Sequence, residues 1–158
     1  MLTKLQRQHK LHYHKLKDVS TCFVSLADKD LELIVGNYGS MLHFSCIPRE
    51  IGMCDYTMGS FEQHLLVNSV AEDPVFRENP MLRAAKAQFY FGIPISVDGV
   101  GIGVIALLDV RPRTDPPDPN AVAQMKQMAV MMGSRVSALL NSGSLSSFSS
   151  RMLKLLQE

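Results

Sequence analysis

The sequence has little of what marks several common classes of protein. Its 158 residues include no tryptophan and only three cysteines. An odd cysteine count without a Cys-x-x-Cys pair argues against a disulfide framework and fits a reducing compartment. No apolar run approaches the length of a membrane span, and no apolar stretch follows the basic N-terminal residues. We therefore expect a soluble cytoplasmic protein.

The sequence also lacks an excess of charge of either sign. There are 16 Lys and Arg residues and 15 Asp and Glu residues. Such a balance gives no global field to attract nucleic acid or an anionic membrane. Beyond Tyr13, the basic residues near the N-terminus lack interleaved aromatic side chains and are typical of a solvated helix face. We expect neither nucleic acid nor a membrane as a partner.

The apolar content, 46%, is enough for one packed domain, and its pattern predicts two β-hairpins. The first joins residues 21–27 and 31–35, and residues 64–70 form another short strand. The second turns at Asp98 and Gly99, a pair suited to positive φ. Apolar residues on both sides of its second strand predict a strand covered on both faces. Pro94, in the first strand, needs a bulge or an unpaired edge.

Two Pro-marked signals predict helices. Asn79 before Pro80 and Asp118 before Pro119 each place a capping side chain before a proline at the first helical position. They predict helices over about 80–87 and 119–140. Residues 1–19 predict an N-terminal amphipathic helix, residues 20–140 the main domain, and residues 141–158 a Ser-rich linker with an amphipathic tail.

Both long helices carry apolar residues at steps of three and four. This a/d pattern predicts a helix-to-helix contact between two chains, and hence a homodimer. The predicted interface comprises Leu5, Val122, Met125, Met132, Val136 and Leu139. The alternative is that these helices simply cover one face of their own sheet.

The sequence resembles GAF domains, the small-molecule-sensing modules of many signalling proteins, over residues 20–140. The resemblance is carried by Cys54 and Thr57 in a Cys-x-x-Thr run, the Asp73-Pro74-x-Phe76 loop, Asn79-Pro80, Phe89-Tyr90-x-Gly92-x-Pro94, and the strand from Gly103 to Asp109 followed by Arg111-Pro112-Arg113. It implies an α+β fold with a central antiparallel sheet of five or six strands. The terminal helices would lie on one face, and short helices and loops would cover a pocket on the other.

The resemblance also implies a regulatory role without catalysis, a small organic ligand and a neighbouring signalling domain as partner. The residues expected to line the pocket are Cys54, Tyr56, Phe76 and Tyr90. The chain lacks the residues that mark cyclic-nucleotide and bilin-binding relatives. Phe91 stands where the family often has a small residue, which suggests an alternative: a domain without a pocket that only dimerises.

Cys46 and Cys54 suggest a second alternative. Some GAF proteins reduce free methionine sulfoxide through cysteines above the pocket, and Arg49 and a helix start near Pro48 are candidates for lowering the pKa of such a thiol. The cysteine spacing of those reductases is missing here, so we expect no catalytic residue. His9 and His12 share a helix face but lack further ligands, so we expect neither a metal site nor a cofactor.

Overall fold

The computed structural model describes residues 19–142, which form a six-stranded antiparallel sheet with helices on both faces. The strands are β1 (Thr21–Ala27), β2 (Leu31–Gly39), β3 (Cys46–Pro48), β4 (Leu65–Val67), β5 (Phe89–Val97) and β6 (Val100–Asp109), and the helices are α1 (Cys54–Met58), α2 (Pro80–Ala84) and α3 (Pro119–Asn141). The strand order is β3-β2-β1-β6-β5-β4. This confirms the predicted α+β architecture. Leu5, with the rest of the predicted N-terminal helix before residue 19, and the predicted tail from residue 143 lie outside the described residues.

The second hairpin is built around the turn that the sequence predicts. Asp98 and Gly99 have φ values of 50° and 80°, so both central residues take positive φ. The turn joins β5 to β6, and β6 pairs with β1 along its other edge. The longest strand therefore lies in the middle of the sheet.

Alternation along β6 separates two core layers. Val104, Ala106 and Leu108 point to the face covered by α1 and α2, which we call the lid face. Ile105 and Leu107 point to the face covered by α3, which we call the helix face. Both sides of the strand are buried, as its apolar composition predicts.

Pro94 lies where the sheet tolerates a missing backbone donor. β4 pairs only with residues 90–92 of β5, so the outer edge of β5 has no strand neighbour at Pro94 within residues 19–142. The register with β6 also shifts between Ile95 and Ser96. The strand therefore uses an open edge and an adjacent bulge, the two arrangements that proline permits.

The two predicted helix starts are confirmed. The Asn79 side chain accepts a hydrogen bond from Leu82 N at 2.9 Å, and Pro80 is the first residue of α2. The Asp118 side chain accepts from Asn120 N at 3.0 Å at the start of α3. Each cap satisfies a backbone donor that the helix itself leaves without a partner.

Part of the apolar stripe of α3 faces its own sheet. Met125, Met128 and Ala129 are buried in the helix-face core, and Val122 and Met132 are partly buried against it. Met125 therefore lies within the core of a single chain, as in the alternative that the sequence left open. An interface at the less buried positions of α3 stays a prediction.

Gly133 brings α3 into close contact with β5. A Cβ atom at this position would collide with the carbonyl oxygen of Ser96, next to the bulge. The helix backbone therefore rests almost directly on the strand. Only glycine permits this approach without displacing one of the two elements.

We expect Gly133→Ala to lower the free energy of unfolding by about 1–3 kcal/mol, because the added methyl group overpacks this contact. In a helix without this contact, the same substitution would raise the free energy of unfolding by about 1 kcal/mol. The sign of the change therefore shows whether the contact exists. Urea denaturation measures the difference. Ser134→Ala, at an exposed neighbouring position, is the control and should shift the value by less than about 0.5 kcal/mol. A stabilised Gly133→Ala variant would contradict the contact.

Candidate functional site

The lid face is covered in part by residues 46–60, which we call the lid. The lid comprises β3, a turn and the short helix α1, which packs across β1, β5 and β6. A helix of five residues cannot be stable by itself, since forming the first turn is unfavourable. The contacts that hold α1 to the sheet therefore decide whether the lid is formed.

The first of these contacts comes from Glu32 in β2. The residue before α1, Met53, provides no side-chain cap for the helix. Instead, Oε2 of Glu32 accepts a hydrogen bond from Cys54 N at 3.3 Å. A carboxyl group from the sheet thus caps the start of a helix that is distant in sequence.

Glu32 itself is fully buried, and its other carboxyl oxygen is also occupied. The hydroxyl of Ser25 in β1 donates to Oε1 at 2.6 Å. Burial raises the pKa of the Glu32 carboxyl, and the charge of Asp55 acts in the same direction. The hydrogen bonds from Ser25 and from the backbone of Cys54 and Met53 lower that pKa without cancelling the effect of burial.

The second contact joins Thr57 of α1 to Tyr90 of β5. The Thr57 hydroxyl donates to Met53 O at 2.8 Å, and its oxygen lies 2.7 Å from the Tyr90 hydroxyl. Because the Thr57 proton is already used, Tyr90 is the donor in this pair. Burial raises the pKa of the Tyr90 phenol well above its ordinary value, so the group stays a neutral donor. We call the buried polar set Ser25, Glu32, Cys54, Thr57 and Tyr90 the lid network.

Cys54 is buried among these groups with its thiol protonated. Burial raises the pKa of the thiol, and the neighbouring Glu32 carboxyl raises it further. A hydrogen bond with Ser25 acts in the opposite direction but is outweighed. The sulfur of Met58 lies 4.0 Å from the Cys54 sulfur. This environment is the reverse of the electropositive, partly exposed setting of a reactive thiol.

Arg49 is committed to contacts outside the lid network. Its guanidinium forms an ion pair with Asp55 and donates from Nη1 to the Asp28 carbonyl at 3.0 Å. The ion pair is partly exposed, and such pairs contribute at most about 1 kcal/mol. Arg49 therefore fastens the outside of the lid to the β1–β2 turn, where its charge is already balanced by a carboxylate.

The three cysteines are all free and differ in exposure. Cys46 is exposed on the edge strand β3, Cys54 is buried on the lid face, and Cys22 is buried on the helix face. An attacking and resolving pair needs at least one accessible thiolate of low pKa. The buried Cys54 does not fit that role in this conformation.

The four predicted ligand residues lie in two layers. Cys54 and Tyr90 are beneath the lid and have no exposure. Tyr56 and Phe76 meet at its outer edge, where their rings pack edge to face at 5.0 Å and Tyr56 remains 48% exposed. That these residues contact a ligand stays a prediction.

The loop before α2 is shaped by Asp73. Its side chain accepts hydrogen bonds from Val75 N at 2.8 Å and Phe76 N at 3.0 Å. Asn79 then links the loop to the lid, because its Nδ2 donates to Ile51 O at 3.1 Å. The Asp-Pro loop and the lid therefore form one continuous cover.

Phe91 fills the core and does not narrow a pocket beneath the lid. Phe91 packs in the helix-face core with Phe89, whereas Tyr90 between them points to the lid face. Strand alternation places neighbouring residues on opposite faces, so the ring of Phe91 lies on the far side of the sheet from the lid. Phe91 gives no support to a domain without a pocket.

Sequence reasoning missed Glu32, the residue that organises the lid. Its signal is a single acidic residue within the apolar run Leu-Glu-Leu-Ile-Val. A buried acidic side chain is rare and needs partners, so its place in a strand is informative. The partners, however, come from β1 and α1, which local patterns do not bring together.

A groove of about 450 Å³ opens on the helix face, between the ends of β5 and β6 and the start of α3. Buried Asp109 accepts hydrogen bonds there from Arg113 Nη2 at 2.6 Å and from Ser20 Oγ at 3.0 Å. Burial alone would raise the pKa of the Asp109 carboxyl, but the hydrogen bonds from Arg113, Arg111 N and Ser20 outweigh it and hold the pKa low. The groove adjoins the connection between the sheet and α3.

Within residues 19–142, no three His, Cys, Asp or Glu side chains are arranged to hold a metal ion. His9 and His12 lie outside this range. The same part of the chain contains no helix with the length and apolar character needed to cross a membrane.

Comparison with known proteins establishes the fold. No protein-family model matches the chain, and no curated protein sequence matches it significantly. The structure is similar to the type II free methionine-R-sulfoxide reductase from Thermoplasma acidophilum, with a TM-score of 0.66 and 14% identity over 83% of this chain and 88% of that chain. It is also similar to the free methionine-R-sulfoxide reductase from Neisseria meningitidis, with a TM-score of 0.66 and 15% identity over 84% and 77%.

A third similar structure is the GAF domain from an Acinetobacter phosphoenolpyruvate-protein phosphotransferase. Its TM-score is 0.63, with 12% identity over 89% of this chain and 82% of that chain. The fold of the chain is therefore GAF-like. Identities this low show the fold alone, and proteins that share a fold differ in ligand and activity.

The burial of the cysteines predicts their relative reactivity toward a thiol reagent. Native protein treated with an aromatic disulfide reagent should be modified rapidly at Cys46, whereas Cys22 should react only after unfolding and Cys54 only after the lid opens or the chain unfolds. Mass spectrometry of the labelled peptides identifies each site, and a sample in guanidinium gives the total. Labelling of native Cys54 at a rate close to that of Cys46 would show that the thiol is accessible and would revive the reductase alternative.

Proposed function

We propose that the chain is a non-catalytic regulatory module that binds a small organic ligand beneath the lid and the Asp-Pro loop. The observation that carries this proposal is the lid network, a set of hydrogen-bonding groups buried in an otherwise apolar layer. Ligand pockets combine apolar walls with a few such polar groups that orient the ligand. The GAF-like fold supports the same location.

The contacts that hold the lid are few, so a ligand could change the conformation of the lid when it binds. The lid network holds α1 by a small number of hydrogen bonds, each of which contributes about 1 kcal/mol. A ligand that bonds Tyr90 or Glu32 in place of α1 would favour a displaced lid, and one that packs beside them would favour the closed lid. Either preference shifts the population of lid states, which is what a sensor requires.

In this proposal, the conformation of the lid affects the position of α3 through β5. Tyr90 faces the lid, whereas Phe89 and Phe91 face the helix-face core in which α3 is packed. Gly133 also places α3 directly on Ser96 of the same strand. A shift of β5 would therefore change the position of α3 on the sheet. We propose that α3 transmits this change of position to a second chain and to a neighbouring signalling domain.

The proposed function includes a homodimer, which is supported by the exposure of apolar residues on α3. Val130 and Met131 are 69% and 38% exposed, and Val136 and Leu139 are only half-buried in the single chain. Apolar residues along one exposed helix favour contact with another copy. Three free cysteines fit a reducing compartment, so we place this dimer in the cytoplasm.

The reductase alternative is favoured by similarity of fold to two methionine sulfoxide reductases. The environment of Cys54 argues against it, since burial and Glu32 keep the thiol protonated. Activity would require the lid to open far enough to expose Cys54.

A ligand beneath the lid should be detectable as a small molecule that copurifies with the protein. Native mass spectrometry should show one added mass per chain, and extraction followed by mass spectrometry identifies it. Tyr90→Phe should weaken retention about 5- to 10-fold, because it removes one buried hydroxyl donor. Phe61→Ala, at a fully exposed loop residue, is the matched control and should not change it. Equal retention in both variants would place the molecule elsewhere.

The dimer should be separable without loss of fold. We expect the wild-type chain to sediment as a dimer at micromolar concentration and the double variant Met132→Glu, Val136→Glu to sediment as a folded monomer, since buried unpaired carboxylates cost several kcal/mol. Met125→Glu is the matched comparison and should unfold the domain, because Met125 lies under its own sheet. A folded wild-type monomer would remove the dimer from the proposal.

A further inference from the structure

Within the part of the chain that the structure describes, Glu32 is a buried acid without a basic partner. Its carboxyl lies between β1, β2 and the start of α1, with no exposure, and its partners are the hydroxyl of Ser25 and the backbone N–H of Cys54. Within residues 19–142 no Lys, Arg or His side chain forms an ion pair with it. An ionised carboxylate at this position would be held by neutral dipoles alone.

The groups that face Glu32 do not supply a compensating charge. From α1 come the Cys54 thiol and the Asp55 carboxylate, which is itself paired with Arg49. From β5 comes the Tyr90 phenol, and from β1 the Ser25 hydroxyl. Burial keeps both the thiol and the phenol protonated until alkaline pH. Glu32 is therefore the group of the lid network that ionises first as pH rises, with a pKa that burial raises above its ordinary value.

We propose that Glu32 is a pH-sensitive latch, which holds α1 on the sheet while its carboxyl is protonated and lets α1 lift when the carboxyl is ionised. The neutral acid keeps both contacts without burying a charge, since the Ser25 hydroxyl lies 2.6 Å from Oε1 and Cys54 N donates to Oε2 at 3.3 Å. The ionised form gains solvation once α1 moves away. This proposal is about the position of the lid only, and it does not depend on whether a ligand binds beneath the lid.

The sign of the effect follows from linkage. The pKa of Glu32 is raised in the folded state above its ordinary value of 4.5. Its contribution to the closed lid is therefore complete below that value and is lost as pH rises through the raised pKa. Asp109 has the opposite sign, because its lowered pKa contributes stability that is lost as pH falls. Loosening at higher pH thus distinguishes the latch from acid unfolding.

Hydrogen exchange of the ligand-free protein between pH 5 and 8 tests the latch. Exchange of residues 53–58 is compared with that of residues 100–109 in the central strand β6, after correction for the intrinsic effect of pH. The lid opening constant should rise with pH by up to about tenfold per unit between the ordinary and the raised pKa of Glu32, since opening releases one proton there, and should level off above the raised pKa. The β6 amides should show no such rise.

Glu32→Gln is the decisive variant, because glutamine keeps the shape and the hydrogen bonding without the ionisation. Its lid opening should be independent of pH, whereas the same slope in this variant and the wild type would overturn the proposal. Ser25→Ala covers the case in which glutamine prevents folding. It removes a hydrogen bond that lowers the pKa of Glu32 in the closed lid, so the rise should continue to higher pH before it levels off. A flat wild-type profile, or a rise in Ser25→Ala that levels off at the wild-type pH, would also overturn the proposal.

Discussion

The rest of the lid depends on the buried carboxyl of Glu32, which joins β1, β2 and α1 at one point. Ser25 and Cys54 N supply its partners from opposite sides, so the group is satisfied only when the lid is in place. A short helix with no cap of its own cannot persist without such a contact. The pair of Thr57 and Tyr90 then fixes the other end of α1 to β5. Polar contacts within an apolar layer therefore give α1 one defined position.

Burial and, after it, the same carboxyl raise the pKa of the nearest thiol, that of Cys54. A helix N-terminus ordinarily stabilises a thiolate, and Cys54 is the first residue of α1. Here Glu32 takes the N–H that would provide this stabilisation, and its ionised form adds negative charge beside the sulfur. The carboxyl that caps the helix thus suppresses the thiolate. In the closed lid, Cys54 therefore packs as a buried, protonated thiol.

The features predicted correctly from the sequence are those fixed by neighbours along the chain. The turn at Asp98 and Gly99, the caps at Asn79 and Asp118, and the burial of both faces of β6 follow from local conformation and alternation. The role of Glu32 could not be predicted in this way, because its partners come from separate elements. Phe91 shows a different failure: alternation was available, but the face of the strand that carries the lid was not known.

The alternation that misled the interpretation of Phe91 also makes β5 the connection between the two faces. Tyr90 contacts the lid face, and its neighbours in the strand, Phe89 and Phe91, pack on the helix face. Because the three residues are consecutive, a displacement of Tyr90 would also displace Phe89 and Phe91. At Ser96 the bulge interrupts the pairing with β6, and there the backbone of α3 rests on the strand through Gly133. β5 thus contacts the lid through Tyr90 and α3 through Ser96. The proposed transmission from the lid to α3 therefore runs along this single strand.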